Sequence, residues 1–391
     1  MISFEKAYET VIASAFRTGS EIVSFAETLG RILAQEVISD MDMPPFDKST
    51  VDGFACKRAD LDIELSVIET IAAGRNPLKT VHQGECSKIM TGAPLPDGAD
   101  CVVMVEETET HPSGKIRFTG TYSKKNISLR GEDIKSGDVV LKPGKYVTPQ
   151  DIALMASVGC TNVQVSILPV IGVISSGDEL VEPDESPGLS RIRNSNAYQL
   201  MAQAKRAGCS GKYYGIARDD EQLTFEMVKK GVEECDILLL TGGVSMGDFD
   251  FIPSVLERAG IKLLFTRVNV QPGKPTTFGI HPDCLVFGLP GNPVSSFIQF
   301  EMLVRPLIYY MMGNEWKPFT CELPMQATYS RRSTDRLGLV PVLITDQRQV
   351  LPVEYHGSAH ISSISVAQGI IAIPPGRNTI EKGEIVSVRQ I

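Results

Sequence analysis

Between Val170 and about Gly313 the chain repeats one pattern: a short apolar run, a loop of small residues, then an amphipathic stretch. Strands are expected over 170–175, 213–216, 237–241, 263–270 and 285–287, and helices over 194–207, 221–232, 251–259 and 294–312. The strand segments are continuously apolar rather than alternating, so both of their faces must be covered. That combination implies a doubly wound, mostly parallel α/β domain with helices on each side of the sheet. In such sheets ligands bind beyond the carboxyl ends of the strands.

The loops at those ends are unusual. The first strand runs into Ser176-Gly177-Asp178-Glu179 and the third into Thr241-Gly242-Gly243-Val244-Ser245, followed by Asp248 and Asp250. The fourth leads to Gln271-Pro272-Gly273-Lys274-Pro275, and the fifth to Gly288-Leu289-Pro290-Gly291-Asn292-Pro293-Val294-Ser295. Small residues let backbone approach a ligand, and N–H groups at helix starts hold oxyanions. The carboxylates Asp178, Glu179, Asp219, Asp248 and Asp250 would repel a phosphate unless a divalent cation lay between, and oxygen ligands of this kind suit Mg²⁺. Gly-Asp and Pro-Gly are also common turn formers, so each loop alone is open to a structural reading. Four at one sheet edge point to a site for a Mg²⁺-associated phosphate ester.

The flanking regions differ in character. Before 168, short strand-like runs alternate with turn signals, which reads as an irregular β-rich region. Two helices punctuate it: one over 3–16, and one opening at Thr148-Pro149-Gln150-Asp151 with the pattern of an N-cap, a helical first proline and an acidic residue. After 313 the runs 337–345, 349–355 and 384–388 suggest a small β-barrel or sandwich. The eight cysteines stand singly, without metal-ligand spacing, and read as small core residues of a reducing compartment. Lys+Arg number 38 against 47 Asp+Glu, a net charge of −9, which argues against a nucleic-acid binder. No apolar run reaches the roughly 20 residues of a membrane span. Glu5, Lys6 and Glu9 interrupt the first segment, so the expectation is a soluble, cytoplasmic protein with no membrane partner.

Seven motifs carry a resemblance. Phe46-Asp47-x-Ser-x-x-Asp52-Gly53-Phe54-Ala55, Met90-Thr91-Gly92-Ala93-Pro94, Arg130-Gly131-Glu132-Asp133, Ser176-Gly177-Asp178-Glu179-Leu180, Thr241-Gly242-Gly243-Val244-Ser245, Pro272-Gly273-Lys274-Pro275 and Gly288-Leu289-Pro290-Gly291-Asn292-Pro293 are collinear and span most of the chain. Together they resemble the MoeA proteins, the molybdopterin molybdenumtransferases, whose relatives include gephyrin. The resemblance implies insertion of molybdenum from molybdate into adenylylated molybdopterin, with Mg²⁺ required and AMP released, as the last step of molybdenum-cofactor synthesis. It also implies four parts: a discontinuous helical segment (1–25 and 134–167), a β-rich domain (26–133), a MogA-like α/β molybdopterin-binding domain (168–313) and a C-terminal β-barrel (314–391). A homodimer is implied as well, its cleft shared between subunits, with a molybdopterin adenylyltransferase and apo-molybdoenzymes as possible partners.

By the same resemblance Asp178, Glu179, Asp219 and Asp250 surround the pterin phosphate and metal. Ser176, Gly177, Gly242, Gly243 and Ser245 cradle pterin or phosphate. Lys274, with Pro290, Gly291, Asn292, Pro293 and Ser295, flanks molybdate, and Ser358 faces the cleft from the barrel. Asp52, Thr91 and Asp133 complete it from the β-rich domain of the other subunit. Some positions depart from the family pattern. Ser128 stands where many relatives carry Arg, and of two basic positions near Lys274 one is Arg267 and the other Gln271. Only Arg336 remains of a barrel pattern that here continues to Pro341. Fewer cations lower anion affinity unless Arg130 or Arg267 replaces the lost charge. Two alternatives share these motifs: a paralogue that inserts tungstate or adenylylates molybdopterin, and a non-catalytic molybdopterin-binding scaffold. Relatives that adenylylate lack the two flanking β regions.

Overall fold

A computed structural model describes residues 1–121, 124–218, 220–242, 252–353 and 360–391. Its centre is a six-stranded sheet in the order Ser210–Ala217, Val170–Ser176, Ile237–Thr241, Cys284–Leu289, Thr277–His281, Lys262–Phe265. The first four strands are parallel and the last two pair antiparallel. Alternate side chains of each strand enter different cores. Ile171, Val173, Ile237, Leu239, Leu285 and Phe287 join the core under the helices Asn196–Arg206 and Pro293–Gln299. Ile174, Leu238, Leu240, Cys284 and Val286 join the core beneath Glu221–Glu234 and Ile252–Arg258. This is why the strands read as unbroken apolar runs. Leu239 is fully buried, so its truncation to Ala would cost about 2–5 kcal/mol.

Two expectations need correction here. The single strand expected over 263–270 is two: Lys262–Phe265 stays in the central sheet, whereas Val270–Gln271 pairs with Leu337–Ile344 of the C-terminal sheet. The strand Thr277–His281, absent from the sequence reading, forms a hairpin with Cys284–Leu289 across a polar turn at Pro282-Asp283. The long closing helix is continuous but changes pitch, from Pro293–Gln299 through a π turn at Phe300–Val304 to Arg305–Met311. Pro306 supplies no backbone N–H and crowds the preceding turn, and a widened turn accommodates it.

Ser3 caps the N-terminal helix Phe4–Ala13, and Ala7 and Val11 bury one face of it in the central core. The chain then forms Ser20–Ser24, which pairs antiparallel with Asn162–Ser166 nearly 140 residues later. Just before that partner lies Pro149–Ser157, opened by the Thr148/Asp151 capping box that the sequence predicts. Between them sits the β-rich region, whose four-stranded sheet has the order Ser66–Ile71, Glu85–Ile89, Gly53–Cys56, Cys101–Met104. Cys56 faces both Cys86 and Cys101 across the strands, so three cysteines distant in sequence share one core. Burial pushes the Cys86 thiol up to about 12.

The C-terminal sheet runs Val270–Gln271, Leu337–Ile344, Gly369–Ile373, Ile385–Gln390, Thr320–Pro324, and Val350–Pro352 also pairs with Leu337–Ile344. A parallel bridge from Met325 to Val350 brings its two ends together. Arg389 ties this sheet to the π turn, donating to the Glu301 carbonyl at 2.7 Å.

Candidate functional site

The carboxyl ends of the parallel strands lie side by side, with Ser175 beside Thr241 and Thr241 beside Leu289. Thr277 pairs with Gly288, so the preceding Pro-Gly-Lys-Pro loop reaches the same edge. The four loops singled out in the sequence therefore do converge. Three of them line a cavity of about 340 Å³, through Ser176 and Glu179, Thr241 and Gly242, and Gly291, Asn292 and Pro293; the Lys274 loop contributes no lining residue.

Close backbone packing builds its floor. Gly242 has φ +90°, and a Cβ there would lie 2.2 Å from the Ser176 carbonyl oxygen. At Gly291 a Cβ would meet the Gly242 backbone, Cα at 3.5 Å and N at 3.9 Å, so two loops touch glycine to glycine. Gly177 has φ +141° and lies beneath the Glu179 carboxylate. Ser176 is buried, and its hydroxyl has no protein partner among the described residues. Asp178 and Glu179 are exposed, and Glu179 lines the cavity. Pro290 is buried behind the cavity, and Ser295 is buried one turn into the helix, off the lining.

Lys274 is exposed on a loop held from two sides. Gln299 donates to the Pro272 carbonyl at 3.2 Å and packs over Gly273, and the short strand Val270–Gln271 belongs to the C-terminal sheet. Asp335 of the C-terminal region lies near it: hydrogen bonds from Ser333 and backbone, then the charges of Arg336 and Lys274, hold its carboxyl below the ordinary value. Asp219, Gly243, Ser245, Asp250 and Ser358 lie outside the described residues.

The three motif loops of the β-rich region also meet, though apart from the cavity lining. Ile127–Ser128 pairs with Lys48–Ser49, Lys48 bridges to Pro94, and the Gly131 N–H donates to the Pro44 carbonyl. Asp52 Oδ1 accepts from the Thr91 N–H at 2.7 Å and the Thr91 hydroxyl at 2.9 Å, which holds its carboxyl below the usual range. Arg130 is engaged locally: its Nε donates to Asp42 at 2.6 Å and its N–H to Asp47 at 2.7 Å. It is therefore already paired within its own region. Asp133 is exposed beside these loops, with its N–H on the Met43 carbonyl.

The sequence reading missed two lining groups. Asn194, Ser195 and Asn196 form one wall, at the start of a helix where polar residues read simply as caps. Ile361, on the short helix Ile361–Ile364, closes the cavity from the C-terminal region.

Carboxylates at the mouth, small residues on the floor and a lysine on an adjoining loop make a receptor for a polyanion rather than a nucleophile–base pair. Among the described residues no group of three or more carboxylate, His or Cys side chains is placed to hold a metal ion; the exposed Asp178 and Glu179 are oxygen donors of the kind that share Mg²⁺ with substrate phosphates. Among the described residues no helix is long and apolar enough to cross a membrane.

Comparison with known proteins covers almost the whole chain. Residues 2–159 match the MoeA N-terminal region (domain I and II), 172–310 a probable molybdopterin binding domain, and 327–391 the MoeA C-terminal region (domain IV). A molybdopterin molybdenumtransferase of Staphylococcus epidermidis is 33% identical over 412 residues, covering 99% of this chain and 95% of its own. That of Bacillus subtilis is 35% identical over 383 residues, covering 94% and 89%. A crystal structure of the molybdopterin biosynthesis MoeA protein from Pyrococcus horikoshii superposes with a TM-score of 0.88 at 28% identity, over 100% of both chains.

Proposed function

Since the chain belongs to the MoeA family, we propose that it is a molybdopterin molybdenumtransferase: it inserts molybdenum from molybdate into adenylylated molybdopterin and releases AMP. The observation that carries this reading is the convergence of three strand-end loops on one 340 Å³ cavity, with the Lys274 loop at the same sheet edge, in a chain similar to these transferases from end to end. Molybdenum is the electrophile and the dithiolene sulfurs are the nucleophiles, so the protein's work is positioning and charge neutralisation.

The division of labour follows the loops. Ser176, Gly177, Gly242, Gly243 and Ser245 cradle the pterin and its phosphate. Lys274, with Pro290, Gly291, Asn292, Pro293 and Ser295, receives molybdate; among these Ser295 acts from behind, through the helix start it helps to pack. Mg²⁺, held by Asp178 and Glu179 with Asp219 and Asp250, neutralises phosphate charge when bound. Asp52, Thr91 and Asp133 complete the cleft from a second subunit of a cytoplasmic homodimer, which accounts for their absence from the cavity lining within one chain. Ser358 joins from the C-terminal part, whose sheet we read as a barrel closed through the Met325–Val350 bridge. The pairing of Ser20–Ser24 with Asn162–Ser166 supports a discontinuous unit of 1–25 and 134–167, between a β-rich domain (26–133) and the α/β domain (168–313), with 314–391 last.

Purified protein incubated with adenylylated molybdopterin, Mg²⁺ and molybdate should release AMP and activate an apo-molybdoenzyme. Adenylate that is bound but never cleaved, with molybdate or tungstate, would leave only a binding protein.

A further inference from the structure

At the ligand edge of the sheet the four parallel strands stand in the order Ser210–Ala217, Val170–Ser176, Ile237–Thr241, Cys284–Leu289. The tripeptide Asn194-Ser195-Asn196 crosses that edge, and its two amides divide it between them. Asn194 Oδ1 accepts from the Ser175 hydroxyl at 3.0 Å, and its Nδ2 donates to the Tyr213 hydroxyl at 2.7 Å, joining the first two strands. Asn196 Nδ2 donates to Thr241 Oγ1 at 2.8 Å and to the Gly291 carbonyl at 2.7 Å, joining the third strand to the loop after the fourth.

The second junction needs such a tie. Gly242 and Gly291 meet backbone to backbone, and two other bonds across the junction, from the Gly242 N–H to the Leu289 carbonyl and from the Thr241 hydroxyl to the Pro290 carbonyl, are long at 3.4 Å. Asn196 is 8% exposed, so water competes weakly for its two bonds. Its helix is anchored independently, by Ala197, Leu200 and Ala204 in the main core.

We propose that Asn196 is a positioning residue for the transfer reaction. It sets the gap between the Gly242 loop and the Gly291 loop, and so between the two reactants that the proposed function assigns to them; the inference rests on that reading. Asn196 acts through the two loops rather than on either reactant. Losing it loosens their spacing without emptying either half-site. A misplacement of about 1 Å costs on the order of 100-fold in rate.

Asn196→Ala removes the tie, and Asn196→Asp keeps the shape and can accept from the Thr241 hydroxyl but sets a carboxylate oxygen against the Gly291 carbonyl, so the bond to that loop is lost. In both variants kcat for AMP release should fall about 30–100-fold. The dissociation constant for adenylylated molybdopterin, measured without molybdate, should stay within about threefold. Hydrogen exchange should quicken about tenfold at 239–242 and 289–293 together, with 170–174 unchanged. Thr241→Val should cost less, because it spares the Asn196 bond to Gly291, and its effect added to Asn196→Ala should be less than the sum of the two, since they share the Asn196–Thr241 bond. A kcat within about threefold of wild type would overturn the proposal, as would a rate loss matched by equal loss of adenylate binding and a general rise in exchange. If wild-type protein releases no AMP with molybdate, the assigned reaction fails but the tie is still decided. Paired acceleration at the two loops would support it, and unchanged exchange would refute it.

Discussion

The polar loops of the β-rich region and those at the ends of the central strands are alike in composition, both rich in Gly, Pro, Asp and Ser. They differ in the hydrogen-bonding capacity they leave over. In the β-rich region Asp42, Asp47, Asp52 and Glu132 each accept bonds from Arg130, Thr91, Ser128 or nearby backbone. At the strand ends the Ser176 hydroxyl, on the cavity lining, is buried with no protein partner among the described residues. Buried polar atoms are normally satisfied, so an exception on the cavity lining marks where a ligand completes the network. Polar, turn-rich loops are common to scaffold and site; leftover bonding capacity separates them.

Charge at the cavity mouth gives the sharpest way to break that contrast. Glu179→Gln should lower turnover about 100-fold or more, since it removes a charge where phosphate and metal are expected. Glu179 is exposed, so the thermal midpoint should barely move. Full activity in that variant would make the mouth carboxylate scaffolding too. Lys274→Ala should raise the molybdate concentration for half-maximal rate about tenfold, the weight of one charge-assisted contact, and leave adenylate binding unchanged. An unaltered molybdate dependence would remove Lys274 from the anion site. In the proposed dimer the β-rich loops would take a catalytic part through a second subunit. Mixing equal amounts of inactive Asp52→Ala and inactive Glu179→Gln protein, with subunit exchange, should then restore about a quarter of wild-type activity, from mixed dimers with one intact cleft. No recovery despite demonstrated exchange would place both residues in one subunit's site, or Asp52 in none.

The sequence was most legible where both faces of a strand are buried. Ile237–Thr241 falls on its expected bounds because an unbroken apolar run between turn signals has few other solutions. It was least legible where a short strand borrows its sheet from elsewhere. Val270–Gln271 has only two residues and pairs with Leu337 and Gly338, so nothing local announces that it leaves the central sheet. The site shows the same division. Small residues at strand ends were readable because close backbone approach demands them, as at Gly242. Asn194 and Asn196 were not, because an asparagine before a helix looks like a cap, and only the packed sheet shows that their amides reach Ser175, Tyr213, Thr241 and Gly291.

The smallest expected effect concerns acid. Hydrogen bonds from the Thr91 N–H and hydroxyl keep the Asp52 carboxyl below its ordinary value of 3.8, and the Ser136 N–H and Arg130 do the same for Asp42. A carboxyl whose folded value is depressed binds its proton more readily in the unfolded chain. Its contribution to stability is therefore fully present above the unfolded value and disappears as pH falls through the folded one. Thr91→Val deletes the hydroxyl bond but keeps the N–H bond, so it should flatten the fall of the denaturant midpoint between about pH 5 and 3 rather than abolish it. At neutral pH the variant should be slightly less stable than wild type, and the two should converge once the pH has fallen through the folded value of Asp52. An acid limb identical in both proteins would show that the Asp52–Thr91 pair does not help hold the β-rich region together. Its loops would then share with the central cavity a bonding capacity reserved for something other than the fold.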